Sequence, residues 1–314
     1  MVVAADVRIG VDVGGTKSHA VAVDDSGRVV AELRRPTGFG VEEVLQGLTR
    51  AVADLTGEVE QRGHRVRGIG VGIPGLVDRR TQRVSHAVNL GVDELDLQPV
   101  LAARFGVPVL VDNDVNAAAL GAARLYAPAA DSLAYLNVGT GIAAGVVVGG
   151  RVWRGLTGSA GEIGHIPVHE GGLLCGCGQR GCLETVASGS GLARSWPTDH
   201  PAPVVHLLAA RAGGDPRAAA VWTRFVDGVA RAVQLLCATF DPEKVVVGGG
   251  ISEVGEPFSG ALLGRLAENE VGSPFLATLG ARNRLLTGAA ADLVAPLGAA
   301  LLVAPTSPAG PAGR

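Results

Sequence analysis

Two stretches of the chain, set 125 residues apart, repeat one pattern. Val11-Asp-Val-Gly-Gly-Thr16 running on to Ala20-Val-Ala-Val23 matches Leu136-Asn-Val-Gly-Thr-Gly141 running on to Gly145-Val-Val-Val148. Each copy reads as an apolar strand, a Gly/Thr hairpin and a second strand. A hairpin of small residues leaves backbone N–H groups open and lets a phosphate come close. Taken singly, such a hairpin is more often merely a turn. Two at a constant offset imply internal duplication: two related lobes, a cleft between them, and a polyphosphate clamped from both sides. The spacing GxxxxGK[ST] of a Walker loop is absent.

The 314 residues are enough for two domains. With 47 Gly and only 4% aromatics, the composition suits an α/β protein whose turns and helix–sheet contacts use small residues. A net charge of −3 gives no reason to expect nucleic acid or an anionic membrane as a partner. No basic n-region precedes the first apolar strand, and no apolar run is long enough to span a bilayer. The expected setting is cytoplasmic.

In chain order, Val7–Val13, Ala20–Val23 and Arg28–Arg34 are expected strands, and Val41–Arg62 an amphipathic helix. Val66–Ile73 is a buried strand ending in Pro74-Gly75. Val84–Leu90 is a further strand, carrying Asn89 near its end. A helix over Leu97–Phe105 leads to the strand Val107–Val111. That strand delivers Asp112-Asn113-Asp114-Val-Asn116 to an Ala-rich helix over Ala117–Leu125. Ligand groups in α/β proteins gather where a strand's carboxyl end feeds a helix. One N-cap needs one polar residue, and four in five positions exceed it. Later come helices over Pro203–Ala212, Ala218–Phe240 and Ala261–Asn269. The strand Val245–Ile251 runs through Gly248, Gly249 and Gly250, either a turn or a seat for a planar ligand or phosphate. A closing helix, Ala289–Val303, contains Pro296 and is expected to pack on the first lobe. Pro305–Arg314 reads as a disordered tail.

Three of the four cysteines, Cys175, Cys177 and Cys182, fall within eight residues, with His165 ten positions ahead and Glu162 and Glu184 on either side. One His and three Cys form a closed tetrahedral set for structural Zn²⁺. Buried thiols are the alternative, although the segment is too polar and Gly-rich for a core element. A disulfide would leave one of the three cysteines unpaired. Cys237 sits in an apolar helical stretch and reads as a core residue.

These motifs in this order resemble the ROK family (repressor, open reading frame, kinase) of sugar kinases and regulators, within the actin/hexokinase-like superfamily. The matching pieces are Asp12-x-Gly-Gly-Thr-Lys17, Asp112-Asn-Asp-x-Asn-Ala-Ala, Gly139-Thr-Gly141, Gly161-Glu-Ile-Gly-His165, Cys175-x-Cys-Gly-x-x-Gly-Cys-x-Glu184 and Gly248-Gly-Gly250. They run over nearly the whole chain. The resemblance implies a two-lobed ribonuclease H-like α/β fold with a zinc-pinned loop. A small N-terminal lobe would span 1–120, completed by a helix at 296–304. A larger lobe would span 121–295, and 305–314 would be a tail.

The resemblance also implies ATP, Mg²⁺ and Zn²⁺ as cofactors, and roles for single residues. Asp114 would be the general base for the sugar 6-hydroxyl. Asn113, Glu162, His165 and Glu184 would hold other hydroxyls, with Asn89 and the Gly75 backbone on the far side. His165, Cys175, Cys177 and Cys182 would bind zinc. Asp12 would lie near Mg²⁺. Gly14, Gly15, Thr16 and Lys17, with Gly139, Thr140 and Gly141, would hold phosphates. Gly248, Gly249 and Gly250 would face the nucleoside.

The chain departs from many family kinases at Ala122, where they have Glu, and at Ala143, where they have a third hairpin Gly. The expected function is ATP-dependent 6-phosphorylation of a hexose. Ala122 and the absence of an aromatic residue just after Asn89 favour N-acetylglucosamine. Glucose, N-acetylmannosamine and fructose are alternatives, and polyphosphate is an alternative donor. A sugar-sensing regulator is the other class. Repressors of the family carry a winged helix-turn-helix ahead of the first hairpin, whereas here only about a dozen residues precede Gly14. A homodimer or homotetramer is expected from related kinases.

Overall fold

Strand β1 (Asp6–Val13) is buried along nearly its whole length. Such a strand must be covered on both faces, which is the position of a central strand in a partly parallel sheet. It pairs antiparallel with β2 (Lys17–Asp24), which pairs with β3 (Val29–Pro36). Helix α1 (Val41–Gln61) follows, and then β4 (Arg65–Ile73), parallel to β1. Val44, Leu48, Val52, Leu55 and Val59 recur at three- and four-residue spacing on α1. They form one stripe on a 3.6-residue helix and meet Val7, Ile9, Val11 and Ile69 in a single core. The computed structural model describes residues 5–287 and 291–304.

Short strands β5 (Leu76–Val77), β6 (Val84–Ala87) and β7 (Val92–Leu95) make a separate three-stranded sheet. The strand expected over Val84–Leu90 stops at Ala87, where the chain makes a 3₁₀ turn over Val88–Leu90 and leaves through left-handed Gly91. Helix α2 (Leu97–Phe105) leads to β8 (Val109–Asn113), parallel to β4. Helix α3 (Asp114–Tyr126) begins three residues earlier than expected, so Asp114 is its first residue.

The C-terminal helix Ala291–Leu302 covers the other face of this sheet, where Leu297 and Ala300 meet Val21 and Val23. It approaches so closely that a Cβ on Gly10 would lie 2.0 Å from the Pro296 carbonyl oxygen. One on Gly70 would meet the Ala299 carbonyl oxygen. Only glycine allows backbone to pack on backbone at that range. The segments 1–125, 154–159 and 292–314 form one compact unit, unit 1. The expected tail, 305–314, and the start of the closing helix at Ala289 lie outside the described residues.

Unit 2 comprises 126–153 and 160–291. Its sheet contains β9 (Ser132–Val138), β10 (Ile142–Val148), β11 (Arg151–Val152), then, past four helices, β12 (Lys244–Gly248) and β13 (Leu285–Leu286). Those helices are α4 (Glu184–Ala187), α5 (Gly189–Ser195), α6 (Pro203–Ala212) and α7 (Pro216–Phe240). The strand order β11-β10-β9-β12-β13 repeats the order β3-β2-β1-β4-β8 of unit 1, with the same parallel and antiparallel pairings. The duplication is therefore one of topology. The second hairpin is one residue shorter: Val138 pairs with Ile142, whereas Val13 pairs with Ser18.

Helix α7 starts at Asp215, whose side chain accepts from the N–H groups of Arg217 and Ala218, and ends at left-handed Asp241. Trp222, Phe225, Val229, Val233 and Leu236 bury its apolar face, and Cys237 is fully buried among them. Each fully buried Leu or Phe contributes roughly 1.5–3 kcal/mol. The helix expected at Ala261–Asn269 extends over Glu256–Gly272. No described helix is long and apolar enough to cross a membrane.

Candidate active site

In unit 1 the hairpin Gly14–Thr16 is closed by the Gly14 N–H donating to the Lys17 carbonyl at 3.0 Å. Thr37, fully buried, holds it from behind. Its hydroxyl donates to the Gly14 carbonyl at 2.7 Å, and its N–H donates to the Thr16 carbonyl at 3.1 Å. Lys17 is exposed. The 3₁₀ turn bearing Asn89 comes against this hairpin, and the Asn89 carbonyl oxygen would lie 3.7 Å from a Cβ on Gly15.

The run from Asp112 to Asn116 divides into support and chemistry. Asp112 and Asn116 are buried. Asp112 Oδ1 accepts from the Asn113 N–H at 2.8 Å and from Asn116 Nδ2 at 3.1 Å, and its Oδ2 accepts from Arg154 Nε at 2.7 Å. Asn113 caps α3: its Oδ1 accepts from the N–H groups of Val115 and Asn116, and its Nδ2 donates to the Gly75 carbonyl at 3.1 Å. An amide nitrogen has two hydrogens, so one remains for a ligand. Asp114 is half-buried and is the first residue of the helix, its carboxylate accepting from the Val115 N–H at 3.0 Å. Asp12 lies near enough to feel that charge. Burial first, and then Asp114, push the Asp12 carboxyl up to about 7.

In unit 2 the hairpin Gly139–Gly141 rests on the start of α5. The N–H groups of Gly189 and Ser190 donate to the carbonyls of Gly139 and Thr140 at 2.8 and 3.0 Å. Glu184 reaches it from the first turn of α4, its Oε2 accepting from the Ile142 N–H at 3.4 Å. Glu162 and His165 sit on a segment laced to β10, with the Ala144 N–H donating to the Gly161 carbonyl at 2.8 Å. Burial pushes the Glu162 carboxyl up; nearby His165 opposes that and Glu184 adds to it. The structure thus brings Glu162, His165 and Glu184 together.

His165, Cys175, Cys177 and Cys182 each aim one donor atom at a common point, all within 4.8 Å of one another. Cys175 Sγ lies 3.7 Å from His165 Nδ1, and Cys177 Sγ lies 3.6 Å from Cys182 Sγ. Metal–sulfur bonds near 2.3 Å give a tetrahedron with edges of about 3.5–3.8 Å. The Gln179 N–H pulls the Cys177 thiol down to about 7, while burial pushes Cys182 up to about 12.

The third glycine run ends β12 at Gly248 and turns at Gly249, where φ is +87°. The strand expected to reach Ile251 stops here, because that conformation cannot continue a strand. Two features stood behind the expected preference for N-acetylglucosamine, Ala122 and the residues after Asn89. Ala122 is fully buried and lies eight residues along α3 from Asp114, about 12 Å at 1.5 Å per residue. It cannot shape space beside that carboxylate. After Asn89, a Cβ on Gly91 would lie 2.5 Å from the nearest atom of the Phe39 ring. Sequence reasoning passed over Thr37 and Arg154. Both act from distant segments, and no local spacing signals them.

The comparisons with known proteins agree with this geometry. The ROK family model matches residues 8–304. A glucokinase of Halalkalibacterium halodurans is 35% identical over 273 residues, 79% of this chain and 81% of that protein. A xylose repressor of Caldicellulosiruptor bescii is 30% identical over 80% of this chain and 67% of its own length. A crystal structure of a ROK family glucokinase from Streptomyces griseus, in complex with glucose and AMPPNP, superposes with a TM-score of 0.77 at 31% identity, covering 94% of this chain and 98% of that one. With its doubled sheet, both glycine hairpins and a match over nearly its whole length, the chain has the actin/hexokinase-like α/β fold and belongs to the ROK family.

Proposed function

We propose that the chain is an ATP-dependent hexose kinase that transfers the γ-phosphoryl group of MgATP to the 6-hydroxyl of glucose. One observation carries the reading. Asp114 is half-buried at the head of a helix whose start is fixed by Asp112, Asn113 and Asn116, and its Oδ1 accepts from the Val115 N–H at 3.0 Å. A carboxylate held this way suits a general base. In the reaction Asp114 accepts the 6-hydroxyl proton, the sugar oxygen bonds to the γ-phosphorus, the bond to the β-phosphate oxygen breaks, and ADP leaves. Phosphoryl transfer asks the protein mainly for positioning and charge neutralisation.

In unit 1, Asn89, the last free N–H of Asn113 and the Gly75 segment serve the sugar, while Gly14, Gly15, Thr16 and Lys17 serve phosphates. In unit 2, Glu162, His165 and Glu184 serve sugar hydroxyls, Gly139, Thr140 and Gly141 serve phosphates, and Gly248, Gly249 and Gly250 serve the nucleoside. Mg²⁺ would neutralise phosphate charge, and Asp12, a carboxylate near a second carboxylate, is a fitting oxygen donor for a hard cation. Zinc on His165, Cys175, Cys177 and Cys182 belongs to the same reading. The donor spacing supports it, and zinc would stiffen the loop that carries Glu162 and Glu184.

Glucose is preferred to N-acetylglucosamine because the H. halodurans and S. griseus relatives are glucokinases, and because the room inferred from Ala122 does not border Asp114. The xylose repressor supports a second reading, a sugar sensor without turnover. The test is ADP release from MgATP with glucose, N-acetylglucosamine, N-acetylmannosamine, mannose and fructose. Glucose should give the highest kcat/KM. A higher value for an N-acetylhexosamine would overturn the substrate. No turnover with any sugar, together with a sugar-induced rise in Tm, would favour the sensor.

A further inference from the structure

We propose that Asn137 is a nucleotide-binding residue, its side-chain amide donating to the phosphate chain held at the Gly139–Gly141 hairpin. The proposal rests on the kinase reading above. At the offset of the internal repeat, Asn137 stands where Asp12 stands in unit 1, two residues ahead of the first hairpin glycine, and both are half-buried. Their chemistry differs. A carboxylate repels a phosphate oxygen unless a cation lies between them, whereas a neutral amide offers two N–H donors and no charge.

The position of the amide fits this use. Asn137 pairs with Ala143 on one side of β9 and with Gly248 on the other. Its side chain therefore lies between the two glycine turns of unit 2. A Cβ on Gly249 would lie 2.7 Å from Asn137 Oδ1 and 2.6 Å from the Val138 carbonyl oxygen, so a side chain there would displace the amide. On the other side Nδ2 lies 3.6 Å from the Cβ position of Gly139. Among the described residues the amide has no hydrogen-bond partner. The hairpin carbonyls of Gly139 and Thr140 are occupied by α5. The N–H groups of Thr140 and Gly141 take no backbone acceptor among the described residues. The hairpin thus presents donors on one side, and the amide adds another at its base. Aspartate has the same shape as asparagine, so the fold itself does not demand an amide here. A phosphate-bearing ligand does.

The test uses the full-length chain and the isosteric variant Asn137→Asp. KM for MgATP and Kd for ADP, the latter by calorimetry, are expected to rise at least about tenfold, or about 1.4 kcal/mol. KM for glucose and Tm should hold. Asn137→Ala, which loses a donor without adding charge, should be the milder variant. An Asn137→Asp enzyme that binds ADP as tightly as the parent would overturn the inference and leave the kinase reading intact. Equal losses in both KM values and in Tm for both variants would reduce Asn137 to a structural role. A parent chain that binds no ADP would sink the kinase reading, and this inference with it.

Discussion

In unit 1 the hairpin Gly14–Thr16 lies beside two carboxylates, Asp12 and Asp114; in unit 2 the matching hairpin lies near an amide, Asn137, and a cluster of thiols. The sheets that carry them have one topology. The backbone was kept through duplication, and a few side chains separate the roles. Unit 1 gathers negative charge, suited to a proton acceptor and a cation. Unit 2 sets an amide and open hairpin N–H groups beside Glu184, itself in reach of the metal-ligand set through Cys175. The supports differ in kind too. Asp114 is braced by an ion pair between buried Asp112 and half-buried Arg154, whereas Glu184 stands between a backbone N–H and the Cys175 thiol.

The largest expected effect tests the charge division. Asp114→Asn should lower kcat by about 10²–10⁴-fold, with the glucose Kd by calorimetry little changed. A variant retaining near-normal kcat would remove the base from unit 1. Next is the brace. Arg154→Met leaves Asp112 buried without its cation, a loss of about 1–3 kcal/mol in stability. Thermal unfolding should show it, and Asp112→Asn combined with Arg154→Met should recover part of the loss. No recovery would mean that Arg154 acts by packing rather than by charge.

Cys177→Ser tests the unit 2 support. Bound zinc, measured by elemental analysis, and Tm should fall together. Undiminished metal with unchanged Tm would dismiss the tetrahedral site. The smallest effect comes from Asp12. Its carboxyl is raised from an ordinary value near 3.8 to about 7. The folded state therefore holds its proton more tightly, and stability falls as pH climbs through that range. Without divalent cations, Asp12→Asn should raise Tm by several degrees at pH 8, at about 2–4 °C per kcal/mol, and leave it nearly unchanged at pH 4. An equal shift at both values would show that burial alone, not charge, sets the cost.

The parts legible in the sequence were those with a local signature. The strand–hairpin–strand repeat, the stripe on α1 and the His165/Cys175/Cys177/Cys182 spacing each reside within a few tens of residues, and each is visible in the coordinates. What stayed hidden depends on contacts across the chain. Thr37 reaches the first hairpin from the end of β3, and Arg154 reaches Asp112 from 42 residues away. Residue type alone does not show that Ala122 is fully buried in α3. Nor does it show that the Phe39 ring, from another loop, lies against Gly91. Even the duplication concealed the one-residue difference in hairpin length, since the aligned sequences continue without a gap.

The backbone contact of Gly10 and Gly70 with the C-terminal helix bears on how the protein is made. Unit 1 includes β1 but is completed only by the helix Ala291–Leu302, so the ribosome makes all of unit 2 before that helix emerges. Until then, the face of β1 and β2 that bears Val21 and Val23 has no helix to cover it. Synthesis at about 5–20 residues per second leaves that apolar face bare for ten seconds or longer. A nascent chain truncated before Asp292 should accordingly be a preferred client of chaperones, and cutting the gene between the units would yield no intact unit 1.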